Sequence, residues 1–130
     1  MDTGQSCRVL FVEDEAAVSL LIEDMLLDLG VEVVGPAATI GAAMTLAQGA
    51  ELDAAVLDLN VGGAMTFPVA DLLLERGTPL IFATGYDPSV VPQRFRSTPL
   101  LQKPFSMSAF EDVLRAALAD TPCEIPDKSP

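Results

Sequence analysis

The sequence contains no histidine. That absence removes Ser-His-Asp and Cys-His nucleophile–base pairs, most zinc sites and any role as a phosphohistidine carrier. It has only two cysteines, Cys7 and Cys123, one near each end. Two are too few for a disulfide framework, so the expectation is free thiols in a reducing cytoplasm. Basic side chains are scarce: 7 against 19 acidic ones, for a net charge of −12. Nucleic acid and anionic membrane both select clustered Lys and Arg, so neither is an expected partner. No stretch approaches the roughly 18 apolar residues that a membrane span needs. Residues 1–8 are polar and the apolar run after them is short, so no signal peptide is expected and the expected localisation is cytoplasmic.

What is present is core-forming material. Half of the 130 residues are apolar, which suits a single domain with a buried core. Short apolar runs alternate with amphipathic stretches. Residues 8–12 read as a buried strand that stops on Glu13, Asp14 and Glu15, and Asp14 or Glu15 is placed to cap the next helix. In that helix Val18, Leu21, Ile22, Met25, Leu26 and Leu29 recur at three- and four-residue steps, and Gly30 ends it. Residues 31–35 form a weaker strand closed by Pro36, and 39–49 a small-residue helix. A third strand at 54–57 runs into Asp58, followed by a glycine-bearing loop and a helix near 69–76. The fourth strand, 80–84, ends on Thr84. Pro88 and Pro92 restrict 85–99 to a short, interrupted helix. The fifth strand, 100–103, ends on Lys103. Ser106 or Ser108 caps the last helix, and Ser108 and Glu111 have capping-box spacing. Residues 7–119 form the domain; 120–130, with Pro122, Pro126 and Pro130, read as a flexible tail.

Five strands alternating with five helices predict an α/β fold with a doubly wound, five-stranded parallel sheet, flavodoxin-like, in the order 2-1-3-4-5. Function in such sheets sits at the carboxyl ends of the strands, where the winding reverses between strands 1 and 3. Those ends carry Glu13 and Asp14 (strand 1), Asp58 (strand 3), Thr84 (strand 4) and Lys103 (strand 5). Two carboxylates about 4 Å apart repel by roughly 4 kcal/mol at an effective dielectric near 20. Hard carboxylate oxygens without histidine or thiolate suit Mg²⁺, with Mn²⁺ as the alternative. A cation, a lysine and a hydroxyl around one cleft are the equipment of phosphoryl transfer, and Asp58 is the candidate nucleophile.

The segments VLFVEDE (9–15), AAVLDLN (54–60), FATGYD (82–87) and LLQKPF (100–105) together resemble the receiver domain of two-component response regulators. The resemblance covers residues 7–119. It implies Mg²⁺ held by Glu13, Asp14, Asp58 and the backbone carbonyl of Asn60. It also implies a phosphoryl group accepted on Asp58 from a partner sensor histidine kinase or phosphotransfer protein, with Thr84 and Lys103 meeting the phosphoryl oxygens. The Lys103–Pro104 step resembles one that is often cis in the family.

Two positions depart from the family pattern. The usual aromatic switch position, three before the lysine, is Leu100, while Tyr86 stands two residues after Thr84. The FATGY segment resembles alphaproteobacterial receivers served by HWE-type kinases, which makes Tyr86 or the 86–96 segment the candidate switch. Glycines 62 and 63 follow Asn60 where many receivers carry proline. With no helix-turn-helix pattern and no basic arm, the expectation is a stand-alone, non-enzymatic receiver. It would switch contacts with a downstream protein or act as a phosphate sink, with Arg94 and Arg96 on its output face. The alternatives are a Mg²⁺-dependent phosphohydrolase with an aspartate nucleophile, disfavoured because Asn60 stands where its second aspartate would be, and a degenerate scaffolding receiver.

Overall fold

The computed structural model describes residues 5–126. Five strands, β1 (Arg8–Val12), β2 (Glu32–Ala37), β3 (Ala54–Leu57), β4 (Leu80–Thr84) and β5 (Leu100–Gln102), form one parallel sheet ordered β2-β1-β3-β4-β5. The predicted 2-1-3-4-5 order is therefore the observed one. Alternation along each strand sends successive side chains to opposite faces. Val9, Phe11, Val56, Ile81 and Ala83 pack with Ile22, Leu26 and Leu29 of helix α1 (Ala16–Asp28) and its end, and with Phe110 and Leu114 of a later helix (Met107–Ala117). Leu10, Val12, Ala55, Leu57 and Phe82 face the other way, onto α2 (Ile40–Gly49) and α3 (Phe67–Glu75). The Met107–Ala117 helix is α4. Both faces of the sheet are covered, which is why its strands read as unbroken apolar runs.

Among the described residues four α-helices stand where the alternation predicts five. Between β4 and β5 the chain makes two 3₁₀ turns, Pro88–Val90 and Gln93–Phe95. Pro88 and Pro92 lack the N–H groups an α-helical ladder requires, and the Asp87 carboxylate accepts from Ser89 N–H (2.8 Å), closing the first turn. Side-chain burial holds this segment. Phe95 is stacked on Phe67 (5.6 Å between centroids) and meets the edge of Phe82 (5.6 Å), contacts that add roughly 0.5–1.5 kcal/mol each beyond area burial. Arg94, expected on a surface free for partners, forms a two-pronged ion pair with Asp71 of α3 (2.9 and 3.0 Å).

Several local expectations change in the folded chain. Glu15 occupies the N-cap position of α1, but its side chain makes no capping bond; its N–H instead donates to Glu13 Oε2 (3.1 Å). Ser106, not Ser108, caps α4 by accepting from Ala109 N–H (3.0 Å), and Glu111 pairs with Arg115 (2.8 Å) rather than completing a capping box. Pro36 does not close the second strand. β2 runs through it to Ala37, which an edge strand tolerates. Gly35 at φ +109° is required there, because a Cβ would lie 2.8 Å from the Phe11 carbonyl oxygen. The Gly35–Pro36 and Lys103–Pro104 peptides are both cis.

The largest correction concerns the chain ends. Cys7 and Cys123 are not free thiols; they form a disulfide, with Cα atoms 4.9 Å apart. Nor are residues 121–126 a loose tail. Cys123–Glu124 pairs in parallel with Gln5–Ser6, Ile125 packs on the core, and Pro126 lies where a Cβ on Gly30 would meet it at 3.0 Å. The expectation of a flexible tail for 127–130 lies outside the described residues. A separation of 116 residues hid the pairing, since only the completed sheet and α4 bring the two ends to one edge. In the chain-entropy account a cross-link over a loop of this length stabilises by about 2–5 kcal/mol. Urea unfolding of Cys7→Ser/Cys123→Ser, or of the reduced protein, should show a loss of that size, with amide protection falling first at 121–126. Alkylation of both cysteines in folded protein without reductant would rule the cross-link out.

Candidate functional site

The hydrogen bonds of the sheet position the charged residues. Three of the sheet's four parallel ladders extend one bond beyond a strand's last residue. Glu13 N–H donates to Ala37 C=O (3.0 Å), Asp58 N–H to Val12 C=O (3.0 Å), and Lys103 N–H to Thr84 C=O (2.8 Å). Thus Glu13, Asp58 and Lys103 stand one residue past β1, β3 and β5, and Thr84 closes β4. The carboxylates of Glu13, Asp14 and Asp58 converge, with one oxygen of each within 4.8 Å of the others. Glu13 and Asp58 are buried, and Asp14 is exposed at the rim.

Lys103 resolves part of the repulsion. Its Nζ donates to Glu13 Oε1 (2.7 Å) and Asp58 Oδ2 (3.1 Å). Glu13 Oε2 accepts from Glu15 N–H, and Asp14 Oδ2 accepts from Gly62 N–H (2.8 Å). Burial pushes the Glu13 carboxyl above its ordinary 4.5; the hydrogen bonds from Lys103 and Glu15 pull it back, and the Asp58 charge adds to the push. For Lys103 burial works downward, but the hydrogen bond to Glu13 and the attraction of Asp58 outweigh it, so the ammonium sits above its ordinary 10.5. With all four groups ionised the cluster keeps two negative charges. Three hard oxygen donors with that residual charge fit a divalent cation such as Mg²⁺. The other trio within ligand distance among the described residues, Cys7, Asp53 and Cys123, has its two sulfurs joined to each other.

A cleft of about 360 Å³ opens over the cluster, lined by Asp14, Glu15, Asp58, Asn60, Gly85, Tyr86 and Lys103. Thr84 is fully buried, and its Oγ1 accepts from Tyr86 N–H (3.0 Å), so the hydroxyl is tied to the turn that follows it. Asn60 lines the cleft, with its side-chain amide donating to Met65 Sδ (3.6 Å). Tyr86 is 46% exposed at the mouth. Leu100 lies away from the cleft, opposite Phe82 in the sheet and against the core on the α3 side. The fold thus brings Asp14, Asp58, Asn60, Tyr86 and Lys103 to one cavity, buries Glu13 behind it on Lys103 and Thr84 under the Tyr86 amide, and leaves Leu100 outside.

Two further contacts shape the site and were not foreseen. Residues Asn60–Val61 and Ala64–Met65 pair as a small antiparallel hairpin whose tip touches Asp14 through Gly62. At its base the buried Thr66 hydroxyl donates to the backbone carbonyl of Asp58 (2.6 Å). The only sequence signal was a hydroxyl residue between a glycine loop and an apolar run, a pattern shared by ordinary helix caps.

No family model and no curated protein matches the chain. Solved structures do. SdrG from Sphingomonas melonis Fr1 is 39% identical, with a TM-score of 0.78 over 92% of this chain and 99% of that one. Its BeF₃-activated conformation aligns at 38% identity and a TM-score of 0.73, over 88% of this chain and 99% of that one. The REC domain of the Erythrobacter litoralis PhyR response regulator is 29% identical, with a TM-score of 0.78 over 96% and 95% of the two chains. The receiver domain of a Pseudomonas aeruginosa sensor histidine kinase, with magnesium coordinated in its active-site cleft, shares the fold at 22% identity and a TM-score of 0.75, over 89% and 100%. Identity to SdrG along nearly its whole length, joined to a 2-1-3-4-5 sheet with its acids at the β1 and β3 ends, shows that the chain belongs to the response-regulator receiver family.

Proposed function

We propose that this receiver is a Mg²⁺-dependent phosphoacceptor: Asp58 takes a phosphoryl group from the phosphohistidine of a sensor histidine kinase, HWE-type by its FATGY segment, or of a phosphotransfer protein. The observation that carries the reading is the convergence of three carboxylates with Lys103 at the carboxyl ends of β1, β3 and β5. Glu13, Asp14, Asp58 and the Asn60 carbonyl would hold the cation. When bound, it would neutralise the acids and draw phosphoryl oxygens. Asp58 is the nucleophile because a cluster neutralised on one side leaves its carboxylate free to attack phosphorus in line. An oxygen–phosphorus bond forms, the nitrogen–phosphorus bond of the donor breaks, and the electron pair leaves on the imidazole nitrogen. Lys103, already bridging Glu13 and Asp58, would follow the new charge. The Thr84 hydroxyl, which accepts from Tyr86 N–H, keeps its own proton to donate and would turn it toward the phosphoryl oxygens.

The output follows from the same charge. A phosphoryl group adds about −1.5 to −2 beside Lys103 and Thr84. Drawing Thr84 inward pulls on Tyr86 and the two 3₁₀ turns after it, so Tyr86 and 86–96 carry the switch in place of an aromatic at Leu100. The signal passes by altered protein contacts or ends as stored phosphate; slow loss of the aspartyl phosphate, not substrate turnover, completes the cycle.

Phosphotransfer profiling against candidate kinases should label the wild type only with Mg²⁺ or Mn²⁺ present, and Asp58→Asn not at all. Equal labelling of the variant would place the acceptor elsewhere. Tyr86→Ala should keep the phosphorylation yield but shrink the beryllofluoride-induced NMR shifts over 87–96. If those shifts keep their wild-type size, Tyr86 merely screens the cleft.

A further inference from the structure

Thr66 occupies the N-cap position of α3, where a threonine hydroxyl ordinarily accepts a hydrogen bond from the second or third helical N–H. Here it makes no such bond. The second helical residue is Pro68, which has no N–H to offer, and the Val69 N–H is taken by the Thr66 carbonyl (3.0 Å). The hydroxyl turns the opposite way. It is completely buried and donates to the Asp58 carbonyl at 2.6 Å, with the Leu59 carbonyl at 3.3 Å. The Thr66 N–H donates to that same Leu59 carbonyl at 2.8 Å. Meanwhile the Asp58 N–H donates to Val12 C=O on β1. The Asp58 residue is therefore gripped at its amide by β1 and at its carbonyl by Thr66, across a hairpin that contains Asn60.

We infer that Thr66 is a positioning residue for the phosphoacceptor loop: its hydroxyl sets the direction of the Asp58 carbonyl and, through it, where the Asp58 carboxylate and the Asn60 carbonyl meet the cation. The inference rests on the phosphoacceptor reading above. Thr66 touches neither the cleft nor a reacting atom. It acts through the backbone, and that backbone needs outside help. Gly62 and Gly63 both lie at positive φ in the hairpin, so the loop between Asp58 and Thr66 has little stiffness of its own. Errors of about an ångström in an attacking group cost up to roughly a hundredfold in rate.

The test compares Thr66→Val, which keeps the shape and removes the hydroxyl, with Thr66→Ser, which keeps the hydroxyl. Leu114→Ala, in the core on the other side of the sheet, controls for lost stability. Mg²⁺ affinity is read from amide shifts in an NMR titration, and phosphorylation rate from acetyl phosphate at saturating Mg²⁺. Thr66→Val should weaken Mg²⁺ binding and slow phosphorylation, each on the order of tenfold, with apo shifts at 58–60. Thr66→Ser should return both toward wild type, and Leu114→Ala should move neither. Wild-type affinity and rate in Thr66→Val, or equal losses in Leu114→Ala, would overturn the inference. Should the wild type take phosphate neither from acetyl phosphate nor from any kinase profiled, the phosphoacceptor reading falls, while the magnesium titration still decides for or against Thr66.

Discussion

Repulsion among Glu13, Asp14 and Asp58 is the constraint around which the rest of the molecule is arranged. Bringing three carboxylates within ligand distance, two of them buried, costs free energy that only an opposite charge can offset. The chain supplies one such charge itself. Lys103 spans Glu13 and Asp58, and its ammonium stays protonated because those partners outweigh its own burial. The compensation is incomplete, and Glu13 remains a carboxylate that burial makes harder to ionise. A cluster left two charges short fits a divalent cation. Full neutralisation by protein side chains would have made a stable but inert core pair.

Precision at the cluster comes from backbone, not from side-chain packing. A parallel sheet that adds one extra hydrogen bond at the ends of β1, β3 and β5 delivers its charged residues with the accuracy of the ladder. Around that rigid edge lie two compliant pieces. The Asn60–Met65 hairpin bends through two glycines and is tied to Asp14 at its tip and to Asp58 at its base. The 85–96 segment has no α-helical ladder and is held by side chains, Phe95 and Val91 in the core and Arg94 on Asp71. Thr84 joins the rigid and compliant parts, with its carbonyl bonded to Lys103 and its hydroxyl to Tyr86. At the opposite end of the sheet the Cys7–Cys123 bond closes the domain.

The apolar segments and their caps were legible because hydrophobic periodicity is local. Val9 to Val12 or Ala54 to Leu57 are apolar wherever one looks, and a run that short between helical patterns has few places to go but a covered sheet. The charged residues were legible for a related reason: each interrupts such a run at its carboxyl end, and in a parallel sheet all those ends share one side. The local pattern narrows the cap of α4 only to Ser106 or Ser108 and that of α1 only to Asp14 or Glu15, because several side chains in each stretch satisfy the same local rule, and the choice fell to neighbours. Glu13 took the Glu15 amide, and Ser106 sits at the N-cap while Ser108 falls inside the helix.

By itself, then, the amino-acid order determined the strands, the four α-helices of the described residues to within a few residues, the sheet order, and the identity of the acids and the lysine. Those features depend on patterns a few residues wide and on rules for parallel connections. Only the tertiary structure decided that Cys7 meets Cys123, that 121–126 docks, that Arg94 is spent on Asp71, and that Thr66 faces Asp58 instead of its own helix. Each of these is a contact between residues distant in sequence or a choice between equal local partners. Its energy depends on distances that do not exist until the sheet has closed and its helices have packed.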